Sequence, residues 1–122
     1  MKFKTSEKGA AAVEFALVVP LLFLILFGIV EFGRAYNIQI SLTQAARAAV
    51  RSMVVSNNPT TASAAANLNL SGITLPPIVY SPASCATGYT GPMTVTITYS
   101  MSAVGNLMPL ILTGKASMQC GG

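Results

Sequence analysis

The stretch Lys8-Gly9-Ala10-Ala11-Ala12-Val13-Glu14-Phe15, followed by an apolar run to about Val30, decides how this chain is read. It sets a basic leader, a small residue and one carboxylate at the head of a membrane-length helix. From Ala10 to Phe32 the only charges are Glu14 and Glu31. At 1.5 Å per residue such a segment spans roughly 34 Å, enough for a bilayer core of about 30 Å. Lys2, Lys4 and Lys8 precede it. By the positive-inside rule they hold the N-terminus in the cytoplasm and send the C-terminal part outward. Arg34 weakens that bias only slightly.

A secretory signal peptide has a shorter apolar core, with its small-residue cleavage site after that core. Here the run is too long, and Glu31-Phe32-Gly33-Arg34-Ala35-Tyr36 offers no such site. The small residue, Gly9, stands before the run. That order suits cleavage on the cytoplasmic side with the helix retained. Pro20 falls in mid-helix and removes one backbone hydrogen bond, which is expected to kink or loosen it. Membrane helices tolerate this when neighbours satisfy the freed carbonyl.

Glu14 needs a reason to be there. A charge in a membrane helix costs up to about 3 kcal/mol at the bilayer centre, and less near an end. If the chain is cut after Gly9, Ala10 becomes the N-terminus and Glu14 sits about 6 Å up the helix from the new amine. The carboxylate then complements the helix dipole. In a bundle of related helices it could accept a neighbour's terminal amine and fix the axial stagger between subunits. The competing reading is an interfacial Glu that only snorkels into the headgroups.

Composition agrees with a membrane-embedded or assembled protein. The 122 residues are 52% hydrophobic and 8% charged, against about 25% charged in soluble domains. Mean hydropathy is +0.63. The net charge of +4 conceals an asymmetry: the three carboxylates are Glu7, Glu14 and Glu31, and none follows. Beyond Gly33 the basic groups are Arg34, Arg47, Arg51 and Lys115, too scattered for a nucleic-acid patch.

The stretch from Lys8 to Leu22, KGAAAVEFALVVPLL, resembles the N-terminus of TadE/TadG-like pseudopilins, minor components of the tight-adherence (Tad, Flp-type) pilus system. The likeness continues through Gly28-Ile29-Val30-Glu31-Phe32-Gly33-Arg34-Ala35 and Gln44-Ala45-Ala46-Arg47-Ala48-Ala49 and covers about the first fifty residues. The resemblance implies cleavage between Gly9 and Ala10 by a prepilin peptidase, with Glu14 in the position of the pilin glutamate. It also implies an assembly platform and other pilin subunits as partners. Major Flp pilins usually carry Tyr after that Glu and end soon after the helix. Phe15 and the long C-terminal part depart from that pattern and favour a minor pseudopilin.

Arg34 to Val55 continues the helix with an amphipathic stripe: Ala35, Ile38, Leu42, Ala45, Ala46, Ala49 and Met53 recur at steps of three and four. The stripe is expected to dock on the chain's own sheet, its alanines allowing close approach. Glu31 and Arg34, three apart, could pair for a few tenths of a kcal/mol. Asn57-Asn58-Pro59 ends the long helix, and Thr60 or Thr61 is expected to cap a short one over Ala62–Asn67. Ile73–Tyr80 is β-rich but broken by Pro76-Pro77. Ser81–Pro92 reads as a loop. Met93–Met101 alternates cleanly, with Val95, Ile97, Tyr99 and Met101 on one face. Asn106–Leu112 reads as an apolar connection broken by Pro109, and Lys115–Cys120 as a last strand. If this part is extracytoplasmic, a Cys85–Cys120 disulfide is expected. A domain this small often needs such a staple.

An enzyme fails on inventory. The part beyond Gly33 has no carboxylate side chain, and the chain has no His, so the usual general acids and bases are missing. Two cysteines make a poor zinc site, and no glycine-rich phosphate loop is present. No cofactor, metal, small-molecule substrate or nucleic acid is expected.

The reading is an α+β, pilin-like chain: a leader over 1–9, a transmembrane and assembly helix over 10–33, an amphipathic extension over 34–56 and an extracytoplasmic domain over 57–122. Gly9 and Ala10 form the processing site, and Glu14, Phe15 and Pro20 serve assembly. The alternative is a signal-anchored binding protein that does not polymerise.

Overall fold

A computed structural model describes residues 7–121, so Lys2 and Lys4 of the expected leader lie outside the described residues. The element order is α1 (Glu7–Ser56), α2 (Pro59–Asn67), β1 (Ile78–Ser81), β2 (Pro92–Ala103) and β3 (Met108–Gln119). The chain divides into two compact units, Met1–Gly33 and Arg34–Gly122.

The first unit contributes the apolar part of α1. Phe15, Leu17, Phe23, Leu24 and Val30 are all more than half exposed. A helix that is apolar all round belongs in a lipid phase or inside a larger assembly. Among the described residues α1 is the one helix long and apolar enough to cross a membrane.

In the second unit the helix changes character. Ile38, Leu42, Ala45, Ala46, Ala49, Val50 and Met53 are buried along one stripe, and they share a core with Met93, Val95, Ile97 and Met101 of β2. The α+β layout, a long helix packed on a small antiparallel sheet, is as expected. Asn57 ends α1 in the left-handed region at φ 49°, and its N–H donates to the Met53 carbonyl at 2.8 Å. Asn reaches that conformation at lower cost than most non-glycine residues.

The cap of α2 is Asn58, not Thr60 or Thr61: its side chain accepts the Thr60 N–H at 2.9 Å. Pro59 then occupies the first helical position, where its fixed φ suits a helix start and its missing N–H costs nothing. The helix therefore begins three residues earlier than Ala62.

The sheet is a three-stranded antiparallel meander in the order β1-β2-β3. Pro76-Pro77 confines the expected Ile73–Tyr80 strand to Ile78–Ser81. β2 alternates as the sequence implies, with Met93, Val95, Ile97 and Met101 buried. The expected break at Pro109 does not occur: Asn106–Leu112 is largely strand, because β3 begins at Met108 and pairs with β2 along its whole length, Pro109 opposite Ser102. β3 is an edge strand, so the proline can face away from the ladder without leaving a donor unmet.

Gly114 lies in β3 opposite Ile97. A Cβ placed there would fall on the Leu42 backbone carbonyl and within 2.8 Å of the Leu42 Cβ. One residue earlier, Gln39 Nε2 donates to the Thr113 carbonyl at 2.7 Å. Helix and edge strand thus meet backbone to backbone. At the other end of β3, Cys120 is bonded to Cys85 across a sequence separation of 35, and the Cys85 N–H donates to Asn57 Oδ1 at 2.8 Å.

Two stability outcomes follow. Gly114→Ala should cost about 1–3 kcal/mol by forcing the helix off the strand, read as a lowered denaturation midpoint of the full chain in detergent, whereas Gly33→Ala, which meets nothing within 4 Å, should not. Cys85→Ser with Cys120→Ser should cost about 3–4 kcal/mol by the loop-entropy relation; an unchanged midpoint under matched conditions would show that the bond does not brace the unit.

Candidate functional site

The residues singled out at the head of the chain occupy the first turns of α1. Gly9, Ala10, Glu14 and Phe15 are all helical and exposed. Ala10 and Glu14 are four apart, hence on one face and about 6 Å apart along the axis. Ala11, Glu14, Phe15 and Val18 follow the i, i+3, i+4, i+7 pattern and line a shallow open groove on the helix surface. The carboxylate is therefore the one charged group in an apolar stripe, offered outward to whatever covers that face.

Pro20 lies within α1, which is helical on both sides of it. The ring has no N–H for the Ala16 carbonyl four residues back. That acceptor remains available on the apolar stretch. Glu31 differs from Glu14: its Oε2 is buried and has no hydrogen-bond partner among the described residues. The expected pairing with Arg34 is not made through that oxygen.

Among the described residues no group of three His, Cys, Asp or Glu converges on a metal-sized site. The outward face of the sheet carries hydroxyls: Thr94 Oγ1 donates to Ser117 Oγ at 3.2 Å, and Ser117 Oγ donates to the Met93 carbonyl at 3.2 Å. On α1, Gln39, Ile40, Thr43, Gln44 and Arg47 line a second shallow groove.

Three structural features are hidden or obscured in the sequence. Gly114 gave no signal, because its role depends on a helix more than seventy residues away. Asn57 reads in the sequence only as a helix stop, although its side chain also accepts the Cys85 N–H. The hairpin turn at Val104–Leu107 was legible in Gly105-Asn106 between two apolar runs, but Pro109 obscured it. Val104, Gly105 and Asn106 all take positive φ there.

No curated protein and no solved structure gives a significant match to the chain. Residues 9–51 match the family model described as TadE-like protein. The matched segment opens at Gly9 and runs through Glu14, the apolar stretch and most of the buried helical stripe, so over that length the chain is similar to TadE-like proteins.

Proposed function

We propose that the protein is a minor pseudopilin of a Tad/Flp-type pilus, processed after Gly9 and held by its N-terminal helix first in the cytoplasmic membrane and then among other subunits. The observation that carries this reading is an exposed carboxylate, Glu14, four residues beyond Ala10 on a helix otherwise apolar to Val30. In isolation that charge is a cost. Beside the new amine of an adjacent chain it becomes a register mark, because only one axial stagger brings the two together.

The match to a TadE-like family supports association with pilus components and a structural, non-catalytic role. A lysine-rich leader supports an orientation with the N-terminus inside and the second unit extracytoplasmic. Cleavage leaves the apolar helix intact and exposes the amine at the cytoplasmic end of the span. Phe15 supplies apolar area next to the carboxylate. Pro20 leaves a carbonyl free and a helix that can bend as its surroundings change from lipid to protein. A prepilin peptidase and an assembly platform are the partners this route requires.

Intact mass of the membrane-extracted protein from cells with an active peptidase should correspond to a chain starting at Ala10. Retention of Met1–Gly9 would overturn the processing step. Glu14→Leu should leave membrane insertion intact, since it removes a costly charge, but should abolish or strongly reduce entry into pili or support of their assembly. Normal assembly by that variant would refute the register role.

A further inference from the structure

The β2–β3 hairpin ends in an apolar tip that the core does not use. Leu107 is 78% exposed, Ile111 66% and Met108 64%, with Val104 and Leu110 each about 40% exposed. Beyond Ala103 the strict alternation of β2 gives way to Leu107-Met108-Pro109-Leu110-Ile111-Leu112, apolar on both faces of the strand. No charged residue occurs between Arg51 and Lys115. Large exposed apolar clusters of this kind mark interaction or membrane surfaces.

The direction of the hairpin identifies what it meets. Gly114 lies on Leu42, while Cys120 is tied through Cys85 to Asn57. From Leu42 to Asn57 the chain rises about 22 Å along a helix, and from Gly114 to Cys120 a strand advances about 20 Å. In this unit β3 and α1 therefore run in the same sense. Traced backwards, β3 reaches Met108 about 20 Å before Gly114, and α1 reaches Arg34 about 12 Å before Leu42. The hairpin tip thus lies at the Arg34 end of the unit. Arg34 and Tyr36 are both exposed there, the cation and aromatic that typically sit at lipid headgroups.

We infer that the β2–β3 hairpin tip, through Leu107, Met108 and Ile111, inserts into the outer lipid surface beside the point where the chain leaves the bilayer. The occupant of the patch is the lipid interface. An uncharged tip meets no Born penalty on entering it, and the two-point contact, helix plus hairpin, holds the second unit against the membrane until the subunit is drawn out. This rests on the membrane-anchored reading of the apolar helix, and not on leader cleavage or polymerisation.

The chain contains no Trp, so a single introduced Trp reports its own surroundings. The full chain is reconstituted in phosphatidylcholine–phosphatidylglycerol vesicles as three variants: Leu107→Trp at the tip, Phe23→Trp in the apolar helix and Val55→Trp at the far end of α1. Leu107→Trp should emit blue-shifted from Val55→Trp and lose intensity when brominated lipid is included, with resistance to aqueous iodide. Adding Ile111→Asp, at an exposed position, should reverse the shift at Leu107→Trp and leave Phe23→Trp unchanged.

Water-like emission from Leu107→Trp with Phe23→Trp quenched by brominated lipid would overturn the hairpin inference while leaving the anchor intact. Failure of Phe23→Trp to be quenched would overturn the anchor and this inference together. A blue shift at Leu107→Trp that disappears as the protein is diluted in lipid would assign the patch to a second copy of the chain and overturn the lipid assignment.

Discussion

At Gly114 the edge strand of the sheet touches the α1 backbone at Leu42, with no side chain between them. The rest of the second unit depends on that approach. Ala45, Ala46 and Ala49 keep the facing side of the helix low, and Gln39 adds a hydrogen bond to the neighbouring Thr113 carbonyl. Because strand side chains alternate with a period of two, a slip of one residue would bring Thr113 or Lys115 onto the helix and turn Ala116 outward. The absence of one Cβ therefore selects both the register of β3 and the distance at which the helix can lie over it. Larger residues from the other side fill the space this leaves: Met93, Val95, Ile97 and Met101 of β2 reach up beside the helix.

The far end of the unit is held by a different chemistry. Asn57 spends its backbone on ending α1 and its side chain on the Cys85 N–H, and Cys85 is bonded to Cys120 at the end of β3. Asn58 then starts α2. Two consecutive residues thus stop one helix, begin another and anchor the loop between β1 and β2. A domain with so small a core and no charged groups from Ser52 to Gly114 has little else to draw on. Surface ion pairs contribute little in any case, and a covalent staple constrains the unfolded chain without needing more buried area.

One helix obeys two solvation rules along its length. In the first unit it exposes apolar side chains on every face and carries one outward carboxylate, Glu14, within the apolar stretch from Ala10 to Val30. In the second it buries one alanine-rich stripe and turns Arg47 and Arg51 outward. The first pattern is stable only in lipid or among other helices. The second is stable in water as soon as a sheet covers the stripe. A chain built this way can exchange the surroundings of its first unit without disturbing the fold of its second, as the passage from membrane to filament proposed above requires.

The apolar run and the stripe from Ile38 to Met53 were legible in the sequence, because each is a local pattern whose meaning comes from helix period and bilayer thickness alone. The strand at Met93–Met101 was legible for the same reason, its period of two being unbroken. Asn58 as the cap of α2, the full length of β3 across Pro109 and the contact at Gly114 were not. A proline is tolerable or disruptive according to whether its strand lies at an edge. A glycine is a spacer or a contact point according to what another segment brings to it. Those are properties of neighbours distant in sequence, and only the packed structure supplies them.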